Sequence, residues 1–399
     1  MGRTVTILEP ATVPALALVP TDEEMHIRRS VRDICSAFGP RYARECQEAG
    51  RPATELWHAL ADNGFVGANI PEEWGGGGQG MTALQMIAEE LAASGNLMLM
   101  LVVSSAIGGS ILTHHGSAAQ KDRWLTGIAS GTTKLAFAIT EPDAGTNSHN
   151  LRTELRRDGD GYRLSGQKVF ISGVEDADAV LVVARFRRDD GQLGKQSLCI
   201  VDVDAPGFAR TPIPMPYLGP EMQWNLFFDD VVVDADRLVG GEEGGLATVF
   251  DGLNPERITI AALSNGIARL ALERASDYAK ERAVWGAPIG THQGIAHPLA
   301  KCKIELELAR LMTQKAAALF DAGSAEAGEA SNLAKYAAAE AATHCVDVAI
   351  QTHGGNGLTI EYGLSDMWWL ARLMRIAPVT AEMILNYVAQ HSLGLPRSY

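Results

Sequence analysis

The hydrophobic period changes twice along the chain, and this decides what it can fold into. In the first third, apolar side chains recur at helical spacing: Ile27, Val31, Ile34 and Phe38 lie four, three and four residues apart, on one helix face. From about Leu135 short β-branched and aromatic runs take over: Leu135 to Thr140, Leu151 to Leu155, Tyr162 to Leu164, Val169 to Ser172, Ala179 to Phe186, Leu198 to Val203 and Asn225 to Val233. Turn signals such as Asp158-Gly-Asp-Gly161 and Asp189-Asp-Gly191 separate them. Helical spacing returns from Glu256 in four segments, 256–283, 292–322, 325–353 and 380–393. Strands with no helices between them exclude a βαβ sheet. The expected fold is α+β: a loose tail (1–20), an N-terminal α-helical domain (21–133), a middle antiparallel β domain (134–237) and a C-terminal four-helix bundle domain (238–399).

Local signals refine this order. Thr21 and Glu24 form a capping box in which each side chain satisfies the other's orphan amide, and Ser117 with Gln120 repeats the pattern. Helices are expected at Thr54 to Asn63, stopped by Gly64, and at Met81 to Ala93. Residues 91–120 carry no Asp, Glu, Lys or Arg, but the apolar part from Leu97 to Leu112 is short and holds Ser104, Ser105, Gly108, Gly109 and Ser110, so it reads as a buried helix and not a membrane span. Prolines at 10, 14 and 20 spoil both a signal peptide and a transit helix.

Composition excludes several functions. The 399 residues are 46% hydrophobic and 21% charged, which rules out a disordered or fibrous chain, and the net charge of −14 has the wrong sign for a nucleic-acid partner. Five scattered cysteines without a C-x-x-C pair fit a reducing cytosol, so a cytoplasmic protein with no metal site is expected. No H-E-x-x-H, P-loop or G-x-S-x-G pattern occurs. Gly75, Gly77 and Gly80 formally satisfy G-x-G-x-x-G, yet Pro71-Glu-Glu-Trp74 before them is no strand; a flexible crossing between two helices is expected there.

Two segments near the β domain carry chemistry. Thr140-Glu-Pro-Asp-Ala-Gly145-Thr-Asn147 ends a strand in small and hydroxyl-bearing residues whose amides and hydroxyls could receive a polar ligand. Gly166-Gln-Lys-Val-Phe170-Ile-Ser172-Gly173 sets an aromatic face beside a hydroxyl, and Phe170 by itself could equally be core. With Arg282-Ala-Val-Trp-Gly286, Ile289 and Gln293, and with Gln351-Thr-His-Gly-Gly-Asn-Gly357, these segments resemble four signatures of the acyl-CoA dehydrogenase flavoproteins, in order, over about residues 22–395.

The resemblance implies an FAD cofactor. Thr140 and Ser172 would bond the flavin's polar edge, Phe170 would lie beside the ring, Phe137 and Ile139 would approach it and Thr146 would reach the phosphates. Arg282 and Gln293 would bind the adenosine diphosphate half of a neighbouring subunit's FAD, with Trp285, in place of the customary Phe, as the adenine wall. Gln351, Gly354 and Gly355 would sit at the pyrophosphate, where only glycine lets the backbone approach closely. Thr380 and Glu382 match positions contacting the adenosine part. Because these contacts cross subunits, a homotetramer or homodimer is implied, with an acyl-CoA substrate, a role in fatty acid metabolism and an electron-transfer flavoprotein as electron acceptor.

The reaction so implied, α,β-desaturation of a thioester, needs a carboxylate base for the C2 proton and flavin N5 for the hydride. The family's usual Glu near the C-terminus is replaced here by Pro378, with Val379 beside it and Trp368-Trp369 in place of an Arg-Asp pair. A second placement, that of isovaleryl- and long-chain-type members, matches Asn254-Pro255-Glu256-Arg257. Asn254 reads as an N-cap and Pro255 as the first helical residue, which would set Glu256 in the first turn, where the helix dipole favours the carboxylate. Glu256 is the candidate base, and Arg257 and Asn254 are candidate substrate-binding residues. Two alternatives stay open: a flavin oxidase or monooxygenase of the same fold, and a non-catalytic subunit of a hetero-oligomer.

Overall fold

The computed structural model describes residues 19–215, 219 and 221–397, so the expected tail lies outside the described residues up to position 18. The first helix, α1 (Asp22–Ser36), begins with the expected capping box: the Glu24 amide donates to Thr21 Oγ1 (3.1 Å) and the Thr21 amide to the Glu24 carboxylate (2.8 Å). It buries Ile27, Val31 and Cys35 and is followed by α2 (Tyr42–Glu48), α3 (Thr54–Ala61) and α4 (Gly80–Ala93). The glycines before α4 are packed, not flexible as expected. The Gly77 amide donates to the Gly67 carbonyl and the Gly78 amide to the Ile70 carbonyl, and a Cβ on Gly76 would collide with the Ile70 backbone. They serve close backbone approach.

The uncharged segment is buried throughout its wide π-type turns, Leu101–Gly108, which run on into α5 (Gly109–His115). Ser104 Oγ accepts from the Leu135 amide (3.1 Å), tying this helical stretch to the start of the sheet. Two short helices, α6 (Ala118–Gln120), capped by Ser117 and Gln120 as expected, and α7 (Thr126–Ser130), complete the N-terminal part.

Eight strands form one sheet: β1 (Leu135–Ala138), β2 (Glu154–Asp158), β3 (Gly161–Ser172), β4 (Ala179–Arg187), β5 (Leu193–Asp202), β6 (Phe208–Ile213), β7 (Gln223–Val233) and β8 (Leu238–Val239). The order is β6-β7-β3-β2-β4-β5-β8, with β1 on β4. Pairing is antiparallel, as expected, except that β1 and β2 both run parallel to β4, which makes the sheet mixed and not wholly antiparallel. The two runs expected within 162–172 are one strand, β3, broken by irregularities in its register with β7 between Leu164 and Gly166 and between Lys168 and Ile171. Strand β6 was not expected; with no fully buried position it lacks the apolar run that marks an inner strand.

The C-terminal part contains α8 (Gly245–Glu281), a hairpin of β9 (Ala283–Val284) and β10 (Ala287–Pro288), then α9 (Gln293–Asp321), α10 (Ala327–His353), α11 (Leu364–Ile376) and α12 (Ala381–Tyr387). Helix α8 starts at Gly245, so Asn254 is not an N-cap and Pro255 not a first-turn residue, contrary to the sequence reading; both lie in the helix interior. An interior proline costs a helix about 3 kcal/mol. Tertiary packing offsets it: Gly252 lies so close to Ile107 and Ile111 that a Cβ would clash, and Val249 and Ile258 on either side of the proline are fully buried. Helix α11, also unexpected, buries Leu364, Met367, Ala371 and Met374 and packs on α10.

Candidate active site

The candidate residues fall into two places. A cavity of about 1460 Å³ lies between the sheet and the C-terminal helices, larger than the roughly 300–1,000 Å³ that holds one small ligand. Phe137, Ile139, Thr140, Thr146, Phe170, Ser172, Asn254, Glu256, Arg257 and Thr380 all line it. A separate depression of about 360 Å³ is lined by Arg282, Gln351, Gly354 and Gly355 together with Tyr278 and His353. Trp285, Gln293 and Glu382 line neither. Trp285 stands 91% exposed on the β9–β10 turn at φ 52°, Gln293 opens α9, and Glu382 is in the first turn of α12.

On the sheet side, local strain and a buried ion pair shape the wall. The register break in β3 puts Phe170 at φ 59°, a conformation costly for an aromatic residue, and leaves its ring 55% exposed at the cavity. The core reading of Phe170 is therefore excluded. Ser172 and Gln223 exchange hydrogen bonds beside it (2.9–3.1 Å). Ile139 and Thr140 are held by their backbones: Thr140 O accepts from the Val169 amide (2.9 Å), and Ile139 O from Lys168 Nζ (2.9 Å). Lys168 is fully buried and also bonds Glu141 (2.9 Å), whose carboxylate accepts from the Arg152 and Thr153 amides (2.6 and 2.9 Å). Burial lowers the Lys168 ammonium to about 8; Glu141 is pushed up by burial but held below the usual carboxylate range by Lys168 and its amide donors. These two residues, missed in the sequence reading, fix the loop that carries Thr140 and Thr146.

On the helical side, Glu256 projects from the interior of α8. It is the only carboxylate lining the cavity among the described residues, and no described residue donates a hydrogen bond to it. Burial raises it to about 7, opposed by the charges of Arg257 and Lys335. The dipole of a first turn plays no part, since the helix begins well upstream. Next to it the Arg257 guanidinium is nearly buried: Nη1 donates to Asn254 Oδ1 (2.8 Å), the group lies over the Phe250 ring at 5.7 Å, and Nε has no partner. Asn254 thus orients Arg257 instead of capping a helix. Part of the wall is apolar, with Leu99, Val102 and Val103 from the N-terminal part and Leu253 and Ile260 of α8. A buried carboxylate without a hydrogen-bond partner, raised to about 7, is suited to abstracting a weakly acidic proton.

The second depression is built differently. Gly354 has φ 59° and neither it nor Gly355 would meet an atom within 4 Å if given a Cβ, so their backbone faces open space. Tyr278 stacks on His353 (4.2 Å), and burial lowers the His353 imidazole from its ordinary value. With Arg282 alongside, this surface offers one cation and a glycine backbone open to close approach.

Family models agree with this architecture from end to end. Those for the acyl-CoA dehydrogenase N-terminal, middle and C-terminal domains match residues 21–132, 136–231 and 243–393. Acyl-CoA dehydrogenase FadE12 of Mycobacterium tuberculosis is 52% identical over 386 residues, covering 96% of this chain and 99% of that protein. The structure of butyryl-CoA dehydrogenase from Megasphaera elsdenii superposes with a TM-score of 0.89 at 28% identity, covering 94% of this chain and all of that one. A glutaryl-CoA dehydrogenase from Mycobacterium smegmatis in complex with FADH2 gives 0.87 at 25% identity, over 95% and 96% of the two chains. Helices, sheet and helices in this order, each matched by its own domain model, are the frame of an enzyme family to which the chain belongs: the acyl-CoA dehydrogenases.

Proposed function

We propose that the protein α,β-desaturates an acyl-CoA thioester with FAD as cofactor and Glu256 as the base that removes the C2 proton. The observation that carries this reading is the position of Glu256, a carboxylate without a hydrogen-bond partner on the wall of the large cavity. Bound FAD supplies the acceptor for the hydride leaving C3. The residues present fit a flavin: the strained Phe170 offers an aromatic face, and Thr140, Ser172 and the backbone at Ile139 offer polar atoms along one edge. The apolar wall at Leu99, Val102 and Val103 takes the acyl chain and excludes water, while Arg257, held by Asn254, balances the charge beside the thioester. Arg282, Gln351, Gly354 and Gly355 lie outside this cavity, which supports their use on a neighbouring subunit's FAD, hence a homodimer or homotetramer. Electrons leave for an electron-transfer flavoprotein, and the reaction belongs to fatty acid metabolism.

The test is anaerobic mixing of the purified yellow protein with butyryl-, isovaleryl-, octanoyl- and steroid-side-chain CoA thioesters. Flavin bleaching by at least one of them is expected, and Glu256→Gln should keep FAD while losing the bleaching. A parent protein that binds FAD but is bleached by none would favour a non-catalytic subunit; steady peroxide release in air with the same thioesters would favour an oxidase.

A further inference from the structure

We propose that Lys335, which does not touch the cavity, is the positioning residue for the base: its ammonium holds Glu256 as a carboxylate and fixes the facing wall through the Val379 carbonyl. The inference deepens the reading of Glu256 as base and rests on it.

Helix α10 presents Gly328 and Asn332 to the cavity, and Lys335 follows on the same face one turn further in, at i, i+4 and i+7. It belongs to a buried stripe that is otherwise small: Ala327, Ser331, Ala334, Ala338 and Ala342. Lysine at such a position is costly unless its charge is met. Lys335 is fully buried, and of its three donors one is engaged in a hydrogen bond, from Nζ to the Val379 carbonyl at 2.6 Å. Val379 lies between Pro378 and Thr380, all three in the cavity wall, and Thr380 Oγ1 accepts from the Met383 amide (3.3 Å) to cap α12. The lysine therefore clamps the segment where the cavity wall passes into α12.

Four charged groups face Lys335 from the elements packed around it: Glu256 and Arg257 of α8, Glu340 of its own helix and Arg375 of α11. Glu340 is taken by Arg375, whose Nε lies 2.6 Å from its carboxylate. Arg257 is turned to Asn254 and Phe250, with Tyr387 of α12 also facing it. Glu256, which has no hydrogen bond, feels the charge of Arg257 first and of Lys335 second, and of these two cations Lys335 is the one that no side chain holds. Burial pushes the two in opposite directions, Glu256 up to about 7 and Lys335 down to about 8, and the attraction between them opposes both shifts. Without Lys335 the base would be protonated over more of the neutral range and the 378–380 wall would lose its tether.

The test needs no knowledge of the substrate. In the FAD-loaded protein, the infrared carboxylic-acid band that Glu256→Gln removes is titrated against pH in the parent, Lys335→Met and Lys335→Arg. The midpoint should rise by about one pH unit or more in Lys335→Met, and Lys335→Arg should return it toward the parent. An unchanged midpoint in Lys335→Met overturns the proposal. Where that variant fails to fold, the reciprocal measurement decides: in protein labelled with 15Nζ-lysine, Glu256→Gln should lower the titration of Lys335, and an unaltered titration overturns the proposal equally. Glu256→Gln that still bleaches with an acyl-CoA at the parent rate would sink the base assignment instead, so the two failures are separately visible.

Discussion

Two buried acidic neighbourhoods share helix α8, and they are built on opposite terms. At one, Glu89 and Glu90 of α4, with carboxylates 1% and 2% exposed, meet arginines from three other helices. Arg269 Nη1 of α8 lies 2.8 Å from both, Arg310 of α9 lies 2.8 Å from Glu89, and Arg28 of α1 lies 2.9 Å from Glu90. Burial alone would raise Glu90, but Arg269 and Arg28 outweigh it and hold the carboxyl down to about 2. At the other, Glu256 is left without a hydrogen bond and rises to about 7. The first arrangement fastens α1 and α4 to the C-terminal helices through direct ion pairs; the second leaves one carboxylate with no hydrogen bond, facing the charges of Arg257 and Lys335 at the edge of the cavity.

Substitution should separate the two most sharply. Glu256→Gln is expected to slow anaerobic flavin bleaching by about 10²–10⁴-fold and to leave the fold intact. Because the Glu256 carboxyl ionises higher in the folded than in the unfolded chain, its contribution to stability is complete below about 4.5 and is lost as pH rises through about 7. Glu256→Gln should therefore melt above the parent at pH 8 and near it at pH 4.5. Arg269→Met should do the reverse, costing about 3 kcal/mol in urea unfolding by removing the one guanidinium that bonds both buried carboxylates and leaving each with fewer partners. A destabilising Glu256→Gln, or a neutral Arg269→Met, would break the contrast.

The sequence disclosed more of the first kind of structure than of the second. Capping boxes at Thr21 and Ser117 and the alternation of the strands depend on neighbouring residues, and they recur in the structure where spacing placed them. Glu256 became a candidate through the resemblance, and the local argument added to it was mistaken: Asn254-Pro255 looks like a helix start, and only the packing of Gly252 against Ile107 and Ile111 reveals that α8 passes through it. Lys335 and Lys168 were missed because the carbonyls and carboxylates they serve come from distant parts of the chain. A signal existed for Lys335, a lone lysine in the buried alanine stripe of α10. The glycine cluster at 75–80 misled in the other direction, since its lack of side chains serves packing against Ile70 and Ala68.

Acidity should draw the same boundary with a smaller effect. Glu90 ionises lower in the folded chain than its ordinary 4.5, so what it contributes is present in full above that value and is lost only as pH falls toward 2. Glu256 loses its charge below about 7. At pH 6 the bleaching rate should be down about tenfold from its plateau while the unfolding midpoint in urea does not fall, and rises somewhat as the Glu256 carboxyl takes up its proton. A rate and a midpoint that fall together with pH would mean that the loss of activity is unfolding and not protonation of the base.

The smallest expected effect lies inside the well-paired neighbourhood. Arg32 of α1 also reaches Glu90, at 3.2 Å, but its side chain is 58% exposed, against 25% for Arg269. Water screens the outer guanidinium and competes for it, and Glu90 keeps Arg28 and Arg269 when Arg32 is gone. Arg32→Ala should therefore cost less than about 1 kcal/mol in urea unfolding and should soften further as salt is added, whereas the loss in Arg269→Met should barely respond to salt. Equal losses in the two variants would mean that Glu90 is held by the sum of its arginines and not by the buried ones, and the argument from burial would then fail at the site where it is used most heavily.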